Sequence, residues 1–246
     1  MNMMRFTTMK TKLRKYPSIF LILLLAIFSC FLTGCVNQHP KDSKKSSQGE
    51  SVETMLEITD PKEKQAVLNA KAKVKALSGN PRIVATSPAV ADICDKLDLD
   101  LVGVPKSSVS KIPSRYKKVK KVGLAMSPDM EIVSSLNPDW ILAPSSLETD
   151  LKPKFEELKN TEYAFLNLRS VQGMYRSVQE LGEIFGKQQE AEKMTKEFTT
   201  FYKSYTKRNK NKKHPKVLVL MGLPGSYVIA TENSYVGSLI KLAGGE

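Results

Sequence analysis

Apolar positions along this chain fall into three regimes. From Ile19 to Leu32 they run nearly unbroken. That is about fourteen residues, against the roughly 20 that a membrane-spanning helix needs. From Val36 to about Lys62 the pattern dissolves into Lys, Ser, Gln, Glu and Asp, which predicts a flexible tether. Ala66–Leu77 can form a short Ala/Lys helix, of slight stability in isolation. Gly79-Asn80-Pro81 breaks it and opens the third regime, where short buried strands alternate with amphipathic helices.

In that regime Arg82–Ala85, Leu99–Val104, Trp140–Leu142 and Tyr163–Leu166 read as strands. Ser87-Pro88 and Ser127-Pro128 each offer a hydroxyl N-cap and a proline in the first turn. The first precedes A-V-A-D-I-C-D-K-L. The second precedes a short helix with Met130, Ile132, Val133 and Leu136 on its apolar side, ended by Asn137-Pro138-Asp139. Leu147–Leu158 is a further helix, interrupted near its start by Pro153. Such alternation predicts an α/β fold with a parallel sheet covered on both faces.

Val171–Phe185 is amphipathic and closes at Gly186, a natural C′ residue. Gln188–Asn209 carries Ala191, Met194, Phe198, Phe201 and Tyr205 at spacings that make one stripe. Such a helix is roughly 33 Å long. Lys216–Met221 then reads as a strand, Gly222–Ser226 as a turn, Tyr227–Ala230 as a short strand and Tyr235–Leu242 as a helix closed by Gly244-Gly245.

Charge changes this picture little. The net charge of +13 over 246 residues is assigned mainly to the first fifteen residues, Lys41–Lys75 and Lys203–Lys216. A leader, a tether and a helix end account for these, so no nucleic-acid partner is expected. Basic surface of this kind suits anionic headgroups and wall polymers. Leu32-Thr33-Gly34-Cys35 matches a lipoprotein cleavage box, which makes Cys35 the expected lipidated N-terminus of a mature chain tethered to the cell membrane. Two acyl chains on that sulfur suffice for stable anchoring. Cys94 reads as a small buried residue, and no CxxC or Cys/His spacing supports zinc or an iron–sulfur cluster.

The candidate chemistry is that of binding. Helix starts at Ser87 and Ser127 aim N–H groups at the sheet edge, which favours an anionic group. Pro88 lacks an N–H, so Ala89 is the next donor. A loop with Ser107, Ser108 and Ser110 follows the second strand, and Met126 stands in a loop at the same edge. By chemistry alone Met126 is either core filler or a soft ligand. His39 and His214 lack the partners of a hydrolase triad, and Gly222–Ser226 lacks a phosphate-loop lysine; no enzyme is expected.

Four stretches carry a resemblance. They are R-I-V-A-T from Arg82, L-D-L-D-L-V-G-V from Leu97, V-G-L-A-M-S-P-D-M-E-I-V-S-S-L-N-P-D-W-I-L from Val122, and H-P-K-V-L-V-L-M-G-L-P-G-S-Y from His214. From Arg82 to Glu246 the chain resembles the haem-binding lipoproteins of Gram-positive ABC importers, substrate-binding proteins with two α/β lobes joined by one long helix. The residues themselves give a leader at 1–34 and a tether at 35–80; the resemblance implies an N-terminal lobe at 81–170, helices including the inter-lobe helix at 171–214, and the start of a C-terminal lobe at 215–246. It implies haem as transported ligand, with Met126 as one axial ligand to its iron. Ser87, Ala89, Ser107 and Ser108 would then lie near the propionates, and Glu131 would dock on the ABC permease. Cell-wall haem donors are further possible partners. The second-lobe histidine and glutamate of the family are expected beyond Glu246, so a truncated second lobe is expected too. The alternatives are a siderophore or corrinoid binder of the same class, or a non-functional truncated product.

Overall fold

The computed structural model describes residues 56–58 and 60–246. The expected leader, Cys35 and most of the tether lie outside them. Among the described residues, five parallel strands form one sheet in the order β3-β2-β1-β6-β7. They are β1 (Ile83–Ala85), β2 (Leu101–Val104), β3 (Lys120–Lys121), β6 (Trp140–Pro144) and β7 (Glu162–Leu166). A small antiparallel hairpin, β4 (Gly123–Leu124) with β5 (Ser127–Pro128), stands apart from it.

The central strands are buried on both faces, as their unbroken apolar runs require. Side chains alternate between two cores. Ile83, Ala85, Trp140 and Leu142 face a core completed by α2 (Pro88–Lys96) and α5 (Val171–Phe185). There the Trp140 and Phe185 rings meet edge to face, their centroids 5.5 Å apart. Val84, Ile141 and Ala143 face the opposite core with Val133 of α3 (Met130–Ser135) and Leu151 and Phe155 of α4 (Glu148–Glu156). Pro153 lies inside α4 without interrupting it.

Helix α5 ends at Gly186 in the left-handed conformation (φ 71°), and α6 (Gln188–Asn209) follows almost at once. A Cβ at Gly182 would sit 2.6 Å from that of Ala191, so only glycine lets the two helices approach this closely. Arg115 braces the nearby loops: it bonds Asp98 and Asp100, while Lys187 also bonds Asp98. These bonds, from Lys187 and then Arg115, hold the Asp98 carboxyl below its usual range.

Three expectations need correction. The tether drawn at 35–80 is not flexible throughout: the helix expected at Ala66–Leu77 starts earlier, as α1 (Pro61–Lys75) capped by the Asp60 carboxylate. Its propensity is poor support by itself; Val67 enters the core and Ala70 and Val74 pack beside it. Ser127-Pro128 does not start α3 but forms β5, because Asp129 accepts from both Glu131 N and Ile132 N and takes over as N-cap. Lys216–Met221 is not a strand throughout; the strand there is β8 (Leu220–Leu223), paired antiparallel with β9 (Ser226–Ile229).

The β8–β9 hairpin joins no other strand among the described residues and exposes Leu220, Tyr227 and Ile229. The segment is tied down by α7 (Tyr235–Leu242), whose Ser238 hydroxyl accepts from Val171 N at the start of α5. Tyr205 OH donates to Ala243 O at 2.8 Å, linking the end of α6 to the end of α7.

Candidate functional site

All five strands of the main sheet run the same way, so their C-terminal ends share one edge. Chain direction across the sheet reverses at its middle: β1 leads outward through β2 to β3, then β6 returns to the other side of β1. The crevice at such a reversal is where open α/β sheets take ligands. Here Thr86 bridges the two strands, giving its N–H to Leu142 O at 3.0 Å and its hydroxyl to the same carbonyl.

The segments leaving this edge carry the expected site residues. Ser87 is buried, and its hydroxyl accepts from Val90 N at 3.3 Å, so its main role is to cap α2. Pro88 has no N–H and Ala91 N bonds Ser87 O, which leaves the Ala89 amide as the first-turn donor facing outward. After β2, Ser107 is half-buried and accepts from Ser110 N at 3.0 Å; Ser108 is exposed.

Lys106 N donates to Gly123 O and thereby joins that serine loop to the β4–β5 hairpin. The hairpin turns at Ala125-Met126, and Met126 is 74% exposed at its tip. Gly123 makes this possible with φ 95°, where a Cβ would meet Asp129 N at 2.9 Å. Met126 is therefore not core filler. It is a solvent-facing thioether at the same sheet edge as the Ala89 amide and the serine loop. Glu131 lies exposed in the first turn of α3, four residues after the hairpin begins its return.

Two features were missed. Asp129 anchors both hairpin and helix, donating its N–H to Val122 O at 2.7 Å while its carboxylate caps α3. An aspartate directly before an apolar helix start was the available signal, outweighed by the proline rule. The second is charge. Between Leu101 and Pro128 the chain has Lys106, Lys111, Arg115, Lys117, Lys118, Lys120 and Lys121 and no acid. Arg115 is engaged by Asp98 and Asp100 ahead of β2, at the end of that strand away from the C-terminal edge, whereas Lys106 directly follows β2.

A hollow of about 430 Å³ begins at Ala89 and continues along α2, floored by Ile93, Leu168, Met174 and Met194 with Tyr235 at one side. It is mainly apolar, and burial, followed by the charge of Asp95, raises the pKa of the Asp92 carboxyl at its rim. Cys94 lies in the core beneath; burial pushes its thiol up to about 12, so it carries no thiolate chemistry at neutral pH.

A parallel sheet covered by helices, with chain direction reversing at its middle, defines an open α/β domain. The chain belongs to the periplasmic binding protein family, whose model matches residues 83–246. It is 41% identical over 170 residues to the high-affinity heme uptake system protein IsdE of Staphylococcus aureus (strain Newman), covering 69% of this chain and 58% of that protein. The chain thus spans less than two thirds of the length of the curated relatives it matches.

Among solved structures it is similar to an ABC transporter substrate-binding protein from Listeria monocytogenes EGD-e. The TM-score is 0.64 and the identity 46%, covering 68% of this chain and 64% of that one. The heme complex of S. aureus IsdE follows with TM-score 0.63 and 40% identity, covering 68% and 65%. The siderophore binding protein BauB shares the fold at 22% identity and TM-score 0.56, covering 69% and 62%.

Replacing the Asp129 carboxylate tests the assembly of this edge. Asp129→Ala loses the α3 cap and should cost about 1 kcal/mol of stability. The measurement is urea denaturation of the variant against wild type. An unchanged midpoint would mean that the hairpin and helix hold their places without the cap.

Proposed function

We propose that this chain carries the first lobe of a membrane-tethered substrate-binding lipoprotein that captures haem and passes it to an ABC permease. The observation carrying the reading is Met126, a thioether held out at a hairpin tip on the ligand edge of a chain 41% identical to a heme uptake protein. A soft thioether is a suitable axial ligand for haem iron. The propionates find donors in the Ala89 amide and the Ser107 and Ser108 loop, and Lys106, directly after β2, adds a positive charge in the same loop.

Haem makes no catalytic demand on such a site; the chain's residues bind and orient it. In this reading α6 is the inter-lobe helix, and the β8–β9 hairpin with α7 belongs to the second lobe, whose histidine supplies the other axial ligand. A siderophore ligand gains less support. Its iron is already held by oxygens and has no use for a thioether.

A haem titration followed in the Soret band tests the ligand role. One thioether holds ferric iron weakly. The 246-residue chain is therefore expected to bind haem weakly and to change little with Met126→Ala. Joined to the second lobe of the S. aureus relative, it should bind tightly and lose about tenfold or more with Met126→Ala, since each 1.4 kcal/mol of lost ligation is tenfold. Equal affinities of the joined wild type and variant would overturn the assignment.

Delivery is tested in cells with the same joined protein. Cys35→Ala should abolish incorporation of a labelled fatty acid, and Glu131→Ala should lower haem transport while leaving haem binding intact. Unchanged labelling or unchanged transport would remove the respective role.

A further inference from the structure

Helix α6 has two sides of opposite kind. Ala191, Met194 and Phe198 turn toward the molecule, where the Phe198 ring stacks on Tyr175 of α5 with centroids 4.5 Å apart. Lys193, Lys196, Thr200, Lys203, Lys207 and Lys210 recur at alternating spacings of three and four, so they share the other side. All six are exposed, and from Lys193 to Lys210 the row is about 26 Å long. Phe201 and Arg208 line an open hollow together with Lys193 and Lys196, and Phe201 is 61% exposed.

We infer that this row is a docking surface for an anionic bilayer, with the lysines over the phosphate headgroups and Phe201 at the interface. Charge complementarity carries the inference. Among the described residues, no ion pair holds Lys193, Lys196, Lys207, Arg208 or Lys210. The acids of α6 lie in its first half, at Glu190, Glu192 and Glu197; from Phe198 to Thr231 the chain has seven Lys or Arg and no acid. Glu232 is taken by Lys241, and Glu246 joins the chain at Pro215 and Val217, past the end of the helix.

Clusters of about four to eight Lys and Arg on a helix suit an anionic lipid surface. The exposed phenyl ring decides between a bilayer and a soluble phosphate polymer. Beside lysines, an aromatic side chain gains from the boundary of headgroups and acyl chains and gains nothing from a polyanion in water. The run from Lys106 to Lys121 also carries seven Lys or Arg, but no α-helix aligns them, and Arg115 is tied to Asp98 and Asp100. The proposed anchor at Cys35 leaves the row within reach of the membrane, since the 25 residues from Val36 to Asp60 span at most roughly 90 Å. The surface itself depends on neither haem nor that anchor.

Site-by-site acetylation of the lysines in the 246-residue chain, read by mass spectrometry, tests the surface. The chain is mixed with phosphatidylcholine vesicles, or with the same vesicles containing about one third phosphatidylglycerol. The apolar run at 19–32 can bring the chain to either vesicle, so the two lipids are compared at each lysine. Acetylation of Lys193, Lys196, Lys207 and Lys210 should slow at least about threefold on the anionic vesicles, and about 0.5 M salt should remove the difference. Lys117, Lys118 and Lys120 should change little. Lys196→Gln combined with Lys207→Gln should remove most of the protection left at Lys193 and Lys210, and Phe201→Ser should reduce it. Three results would each overturn the inference. They are no slowing along the row, equal slowing at Lys117, Lys118 and Lys120, or equal slowing with soluble polyphosphate in place of the vesicles.

Discussion

Strands β1 and β6 are buried on both faces and lie side by side at the middle of the sheet, and the remaining elements arrange themselves around that pair. Because side chains alternate, Ile83 and Trp140 must be covered on one face and Val84 and Ile141 on the other. A single layer of helices cannot do both. The chain therefore crosses from α2 on one face to α3 and α4 on the other and returns with α5. This two-sided burial enforces the reversal of direction between β1 and β6. The same reversal opens the crevice at whose rim Ala89, the serine loop and the Met126 hairpin stand.

The parts of the fold that depend on local chemistry were legible in the sequence. Helices α5 and α6 have the predicted bounds, because Gly186 stops one, an apolar stripe defines each, and nothing nearby competes. Ser87 caps α2 as predicted, with Pro88 behind it. Ser127 offered the same dipeptide and failed, because Asp129 lies two residues on and Gly123 can adopt a positive φ, so a hairpin forms where a helix start was expected. The difference lies in pairing across four residues, which a cap pattern does not register. The α1 helix was underrated for a related reason: its stability comes from α5 and β7, more than eighty residues away.

For the site, residue type was readable but exposure was not. A methionine between a strand and a helix is ordinarily buried; only the hairpin turns it outward. Positive charge along Leu101–Pro128 was visible in the sequence and equals that of Lys203–Lys216, yet the charge was assigned elsewhere.

On the proposed function, ligand meets this chain at the C-terminal edge beside β1 and β6. Chemical-shift mapping tests it most directly, with an isotopically labelled 246-residue chain titrated with diamagnetic gallium protoporphyrin. Shifts should concentrate on the amides of Ala89, Ser107 and Ser108 and on the Met126 methyl group, while α1 and α4 stay unmoved. Shifts centred instead on the hollow beside Met174 and Met194, with Met126 unchanged, would contradict it.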